Sequence, residues 1–124
     1  MESKRPVNLQ LTTMKFPPMA IASILHRLSG VILFLAIPLL LYMLDYSLRN
    51  EDVFLKLKQC LQAWPMKLLL WVVLAALLYH LIAGVRHLIM DMGWGESLTA
   101  GRRSALSVFV LAAISVVFIG IWLW

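Results

Sequence analysis

The sequence predicts an all-α membrane protein, with three transmembrane helices and a short amphipathic interfacial helix between the first and second. The 124 residues are 62% apolar and only 14% charged, whereas a soluble domain is nearer half apolar and a quarter charged. The apolar residues gather into three runs, each long enough to cross a bilayer, which takes about 20 mostly apolar residues. The charges flank these runs. Together the runs use almost the whole chain and leave no room for a soluble catalytic domain.

Residues 1–20 read as a polar N-terminal arm and residues 21–124 as a single transmembrane domain. The arm reaches Phe16-Pro17-Pro18, and the paired prolines set a helix start just beyond them. The N-terminus has no early apolar core with a small-residue cleavage site, so it does not read as a secretory signal. It also lacks the Arg- and Ser-rich character of a transit peptide. The first span runs from about Ile21 to Tyr46 and is free of charge from Leu28 to Leu44. Pro38 falls midway along it, where a membrane helix tolerates proline and a kink is expected.

Asn50 then suits an N-cap, with Glu51 and Asp52 at the positive end of a helix dipole. Phe54, Leu57, Leu61 and Trp64 follow at helical spacing, with Lys56, Lys58, Gln59 and Gln62 on other faces. This pattern fits a helix lying on the membrane surface, or one packed on a partner's loop. Pro65 ends it and Lys67 anchors the second span, about Pro65 to Met90, free of charge from Leu68 to Val85. The loop from Met92 to Arg103 holds Gly93, Gly95 and Gly101, which suit turns. The third span, about Ser104 to Trp124, carries no charge, and Trp122 and Trp124 sit where an interfacial aromatic belt belongs.

The net charge of +5 is not a nucleic-acid signal, because the basic residues border the spans. Lys4, Arg5, Lys15, Arg27, Arg86, Arg102 and Arg103 lie toward one side, and Arg49, Lys56, Lys58 and Lys67 toward the other. That bias puts the N-terminus in the cytoplasm and the C-terminus outside. Cys60 is the single cysteine, so there is no disulfide framework. The absence of Cys-x-x-Cys-His excludes a covalently attached c-type haem.

His80 stands inside the charge-free run of the second span. A titratable imidazole at membrane depth is costly and marks a candidate site that needs a partner. Ala76, His80, Ala83, Gly84, His87 and Asp91 share one helical stripe, and His80 lies six residues, or about 9 Å, inside Arg86. Successive spans are antiparallel, so the start of the first, with Ser23, His26, Arg27, Ser29 and Gly30, adjoins the end of the second. Zinc needs three or four close ligands and is a poor match to one deep histidine. Haem needs only one or two axial ligands. His80 and His87 project from one face of one helix and cannot both be axial to one iron. The second ligand would be His26 or a histidine of another subunit, with Arg27, Arg86 and His87 available to propionates. A helix–helix hydrogen bond or a proton relay remain alternatives for His80. Ser23 could instead bond back to its own helix, and Arg27 could snorkel to the interface. Arg102 and Arg103 read as orientation charges, and Asp91 as a loop partner for an arginine.

Three segments carry a resemblance: Arg5-Pro6-Val7-Asn8-Leu9, Ser23-Ile24-Leu25-His26-Arg27-Leu28-Ser29-Gly30, and His80-Leu81-Ile82-Ala83-Gly84-Val85-Arg86-His87-Leu88-Ile89-Met90-Asp91. Over essentially its full length the chain resembles the cytochrome b subunits of succinate dehydrogenase, the larger of that complex's two membrane anchors. The resemblance implies that His80 is an axial ligand of haem b, with the second histidine from the smaller anchor subunit. It implies that Ser23 and Arg27 line a ubiquinone site, and that His26, Arg27 and His87 lie at or near the haem propionates. The implied partners are that smaller anchor, an iron–sulfur subunit, a flavoprotein subunit and the lipid bilayer, with no nucleic acid. The implied location is a bacterial inner membrane. The chain itself has neither a flavin site nor cluster cysteines. A fumarate reductase anchor, a cofactor-free structural anchor or a small transporter are the rival readings.

The residues suit that chemistry. A hydroxyl such as Ser23 can donate to a quinone carbonyl. A cation such as Arg27 can stabilise the negative charge that builds on a quinone as it is reduced, most strongly where water is scarce.

Overall fold

A computed structural model describes residues 15–124, so the Arg5-to-Leu9 segment and the cations Lys4 and Arg5 lie outside the described residues. Four helices follow one another: α1 (Pro18–Ser47), α2 (Glu51–Gln62), α3 (Trp64–Asp91) and α4 (Leu98–Leu123). The described residues contain no strand. Helices α1, α3 and α4 have 30, 28 and 26 residues and are long and apolar enough to cross a membrane. At 1.5 Å per residue each is about 40–45 Å long, which exceeds a hydrocarbon core of about 30 Å. Their ends therefore reach the headgroup region.

Several boundaries differ from expectation, each for a local reason. Helix α1 begins at Pro18, earlier than Ile21, with Pro17 as its extended N-cap. Proline fits the first turn because its missing N–H has no intrahelical acceptor there. The helix continues through Pro38. Helix α2 is capped by Asn50, whose Oδ1 accepts from Val53 N at 2.9 Å. It ends at Gln62, where Ala63 turns extended, and Pro65 sits in the first turn of α3. Val53, Leu57 and Leu61 form its half-buried seam, while Phe54 and Trp64 are exposed. The largest difference is α4, which starts at Leu98 and not at Ser104. Ser97 caps it by accepting from Ala100 N. The loop thus shrinks to residues 92–97, with Gly93 and Gly95 at positive φ. Gly101 is no turn residue: it lies buried inside α4.

The packing is that of a membrane protein. Lipid tails are as apolar as leucine, so helices gain by close approach and hydrogen bonds rather than by hiding large side chains. The buried apolar residues are six alanines and a valine: Ala22, Ala36, Ala76, Ala83, Ala105, Val108 and Ala112. Ala22, Ser29 and Ala36 recur every seven residues along α1, facing Ala76 and Ala83 of α3 by the same spacing. In α4 the seam is Gly101, Ala105, Val108 and Ala112. Leucine, isoleucine and phenylalanine point outward along all three long helices.

Helix α3 is central and packs on both α1 and α4. Hydrogen bonds fix the register at each end. Tyr79 Oη donates to the Ala22 carbonyl at 3.1 Å, joining α3 to α1. Trp71 Nε1 donates to the Val116 carbonyl at 3.1 Å, joining α3 to α4 at the opposite end. Trp124 meets Trp71 edge-on there, while Trp122 is exposed.

Candidate functional site

The antiparallel crossing of α1 and α3 brings the start of one against the end of the other, and the histidines gather there. The His26 ring stacks on His80 at 4.1 Å between centroids and 15° between planes. Its other face stacks on His87 at 4.8 Å and 23°. His80 and His87 come from the same side of α3, two turns apart, with His26 of α1 slotted between them. Glycines line the rings: a Cβ added to Gly30 would lie a tight 3.1 Å from His80 Cε1, whereas one added to Gly84 would make ordinary contact with His26 Nε2 at 3.5 Å.

Hydrogen bonds anchor the rings from one edge. His80 Nδ1 lies 3.0 Å from Ser29 Oγ and 3.1 Å from the His26 carbonyl. Ser29 Oγ donates to that same carbonyl at 2.7 Å. His87 Nδ1 donates to the Ala83 carbonyl at 2.7 Å, which leaves its Nε2 unprotonated in the neutral ring. His26 Nε2 is buried and has no hydrogen-bond partner among the described residues. Buried polar atoms are normally paired, so this nitrogen is an exception in the middle of the cluster.

The remaining expected residues divide. Ser23 is half-buried, and its hydroxyl makes no hydrogen bond among the described residues, so it does not bond back to its own helix. Arg27 is exposed one residue from His26. Arg86, expected near propionates, faces the other way. It is only 7% exposed, its Nε donates to Ser104 Oγ at 2.9 Å, and its Nη2 donates to the Gly101 carbonyl at 3.2 Å. It clamps α3 to α4, because α4 begins early enough to present Ser104 and Gly101 to it. Asp91 is exposed and forms no arginine ion pair among the described residues; the ion pair formed there is Arg49–Asp45 at 2.8 Å, at the opposite membrane face. Asp45 hydrogen-bonds Arg49 and raises its pKa further above an already high value. Sequence places Ser29 among the polar residues that open the first span but assigns no role to it or to Tyr79. Ser29 stands in the serine–glycine pair three residues beyond His26, which was the available signal.

The parallel stack also bears on ligation. Two rings lying face to face at 4.1 Å leave no room for a metal ion between them, so His26 and His80 would not hold one ion from opposite sides in this arrangement. Among the described residues there is no group of three or more His, Cys, Asp or Glu able to hold a metal ion.

Fold and site together define a three-span membrane subunit with a histidine cluster at one end of its helix crossing. Residues 1–119 match the family of succinate dehydrogenase/fumarate reductase transmembrane subunits. The chain is 50% identical to a succinate dehydrogenase cytochrome b556 subunit of Coxiella burnetii over the full length of both. It is 38% identical to the protein of that name from Rickettsia conorii, covering 77% of this chain and 74% of the relative. It is 32% identical to the mitochondrial succinate dehydrogenase cytochrome b560 subunit of mouse, covering 91% and 68%. The chain therefore belongs to the succinate dehydrogenase/fumarate reductase transmembrane subunit family.

Proposed function

We propose that this chain is the haem b-binding membrane anchor of a succinate:ubiquinone oxidoreductase, with His80 as one axial ligand. The observation that carries the reading is the stacked histidine cluster with its buried, unpartnered His26 Nε2. The relatives of this family at 50% and 38% identity are named as succinate dehydrogenase subunits, which favours that direction over a fumarate reductase.

The donor set fits haem b. It offers one imidazole ligand from this chain, with His26 and His87 beside it and the Arg27 cation available to a propionate. The smaller anchor subunit would supply a second histidine. Bound haem supplies a one-electron redox centre next to the quinone site. Around it, Ser23 donates a hydrogen bond to a carbonyl oxygen of ubiquinone, its hydroxyl being uncommitted within the described residues. The positive charge of Arg27 stabilises negative charge arriving on that oxygen. The flavoprotein and iron–sulfur subunits dock on this end. The clustering of Arg27, Arg86, Arg102 and Arg103 near it supports a cytoplasmic placement, with the C-terminus in the periplasm of a bacterial inner-membrane protein. Protons for quinone reduction then have a short path to the surface.

The test is His80→Leu in the whole complex. The variant is expected to assemble, to oxidise succinate with a soluble acceptor, and to lose the haem b band of the reduced-minus-oxidised spectrum. Wild-type haem content in that variant refutes the assignment.

A further inference from the structure

We infer that Ser29 is a positioning residue that sets the tautomer and orientation of His80, so that Nε2 is the nitrogen presented to iron. The inference rests on His80 being a haem ligand and adds a residue and an atom to it.

The argument is one of counting protons. Ser29 is 5% exposed, so its partners are within the protein. Its hydroxyl has one proton and two lone pairs. The His26 carbonyl, 2.7 Å away, can only accept, so the proton goes there. The oxygen then faces His80 Nδ1, at 3.0 Å, with a lone pair. The same His26 carbonyl lies 3.1 Å from Nδ1 and again can only accept. Nδ1 therefore meets two acceptors and no donor, which requires it to carry the proton. In the neutral ring the lone pair is left on Nε2, the state a metal-binding histidine needs. Metal-binding histidines generally donate their other N–H to such a neighbour, which fixes the ring and raises its basicity.

Gly30 completes the device. A Cβ there would stand 3.1 Å from His80 Cε1, so the ring would have to shift by a few tenths of an ångström relative to its two acceptors. Ser29 and Gly30 are adjacent on α1, so one places the acceptor and the other makes room for the ring. The heptad spacing of Ala22, Ser29 and Ala36 places a hydroxyl where packing alone would be served by alanine.

The experiment compares Ser29→Ala and Ser29→Thr with wild type in the intact complex, reading haem content, the reduced-minus-oxidised band and the midpoint potential. Ser29→Ala keeps the shape of the seam and one of the two acceptors, so haem is expected to remain. The imidazole becomes a weaker donor to iron, which favours the reduced form. The reduced-to-oxidised ratio at fixed potential should rise threefold to tenfold, the upper end being about 59 mV for one electron. Ser29→Thr, which keeps the hydroxyl, should lie close to wild type. The inference is overturned if Ser29→Ala has a wild-type potential and band, if the alanine and threonine variants shift alike, or if the chain fails to assemble in the alanine variant. Haem retention in His80→Leu would instead overturn the proposed function itself, so the two failures are separable.

Discussion

Replacing Arg86 by methionine separates two roles that look alike in sequence. The guanidinium is almost wholly buried and makes two hydrogen bonds to α4, through Nε to Ser104 Oγ and Nη2 to the Gly101 carbonyl. Hydrogen bonds between membrane helices average about 0.6 kcal/mol and reach about 1.7, so two lost bonds come to about 1–3 kcal/mol. Methionine fills much of the same volume and relieves the desolvation of a buried cation. That relief offsets part of the loss and brings the expected cost to about 1–2 kcal/mol, or roughly a fivefold to thirtyfold loss in the folded ratio. Nothing is orphaned on α4, since Ser104 Oγ still donates to the Gly101 carbonyl at 3.0 Å. Ser104→Ala alone is the harsher change for its size, because it leaves a charged donor buried without its acceptor. The two should therefore be strongly non-additive, with Ser104→Ala costing almost nothing further once Arg86 is methionine. The assay is the resistance of the assembled complex to a denaturing-detergent titration, with haem absorbance followed in the same samples. Additive costs, or an Arg86→Met complex that loses haem at unchanged detergent resistance, would refute the clamp and return Arg86 to the cofactor.

Ser23→Ala or Arg27→Leu should lower quinone reduction at least tenfold by analogy with the loss of other charge-stabilising donors, while succinate oxidation with a soluble acceptor stays intact. A parallel fall in both activities would assign these residues to assembly. Gly101→Ala puts a Cβ 2.6 Å from Met19 Sδ, which the flexible methionine can relieve by changing rotamer, so the expected cost is below about 1 kcal/mol. A loss of about 3 kcal/mol or more in the same detergent titration would mean that Met19 has no room to move.

The fold was legible wherever one residue type dominated a stretch. Long charge-free runs name their own helices, and Asn50 with Glu51 and Asp52 named the start of α2. What was not legible was where polar residues belong to a helix. Leu98 to Arg103 reads as loop because it holds a glycine, a threonine and two arginines, yet Ser97 caps a helix there. Gly101 is inside it because α1 comes close, not because the chain turns. That displacement of six residues also misdirected Arg86, since only a helix already formed at Gly101 and Ser104 can hold its guanidinium. At the histidine cluster the reverse holds. Antiparallel order alone placed His26 beside His80 and His87, because two helices crossing in a membrane leave little freedom in which ends meet. Ser29 is visible as one of the polar residues opening α1, yet its role is not, because a serine in a membrane helix has a satisfactory local partner in its own backbone. Its contact with a ring fifty-one residues away is a property of register, which spacing within one helix does not encode.

Polar satisfaction sets one end of the α1–α3 crossing apart from the rest of the described residues. Tyr79, Trp71, Arg86, His87 and Ser29 each reach an internal acceptor, as groups at membrane depth must when water is absent. At the start of α1 the pattern breaks. His26 Nε2 is buried without a partner among the described residues; three residues before it stands Ser23, whose hydroxyl makes no hydrogen bond among those residues, four residues after it stands Gly30, against the His80 ring, and the Arg27 cation is next to it. A helix crossing selected only for packing would fill such a place with alanine, as it does at Ala22, Ala36, Ala76 and Ala83. Keeping a hydroxyl, a cation and an imidazole there instead has an energetic cost in a membrane. That cost is offset when a bound ligand completes the bonds, which is the physical reason for placing the proposed haem and quinone site at this cluster.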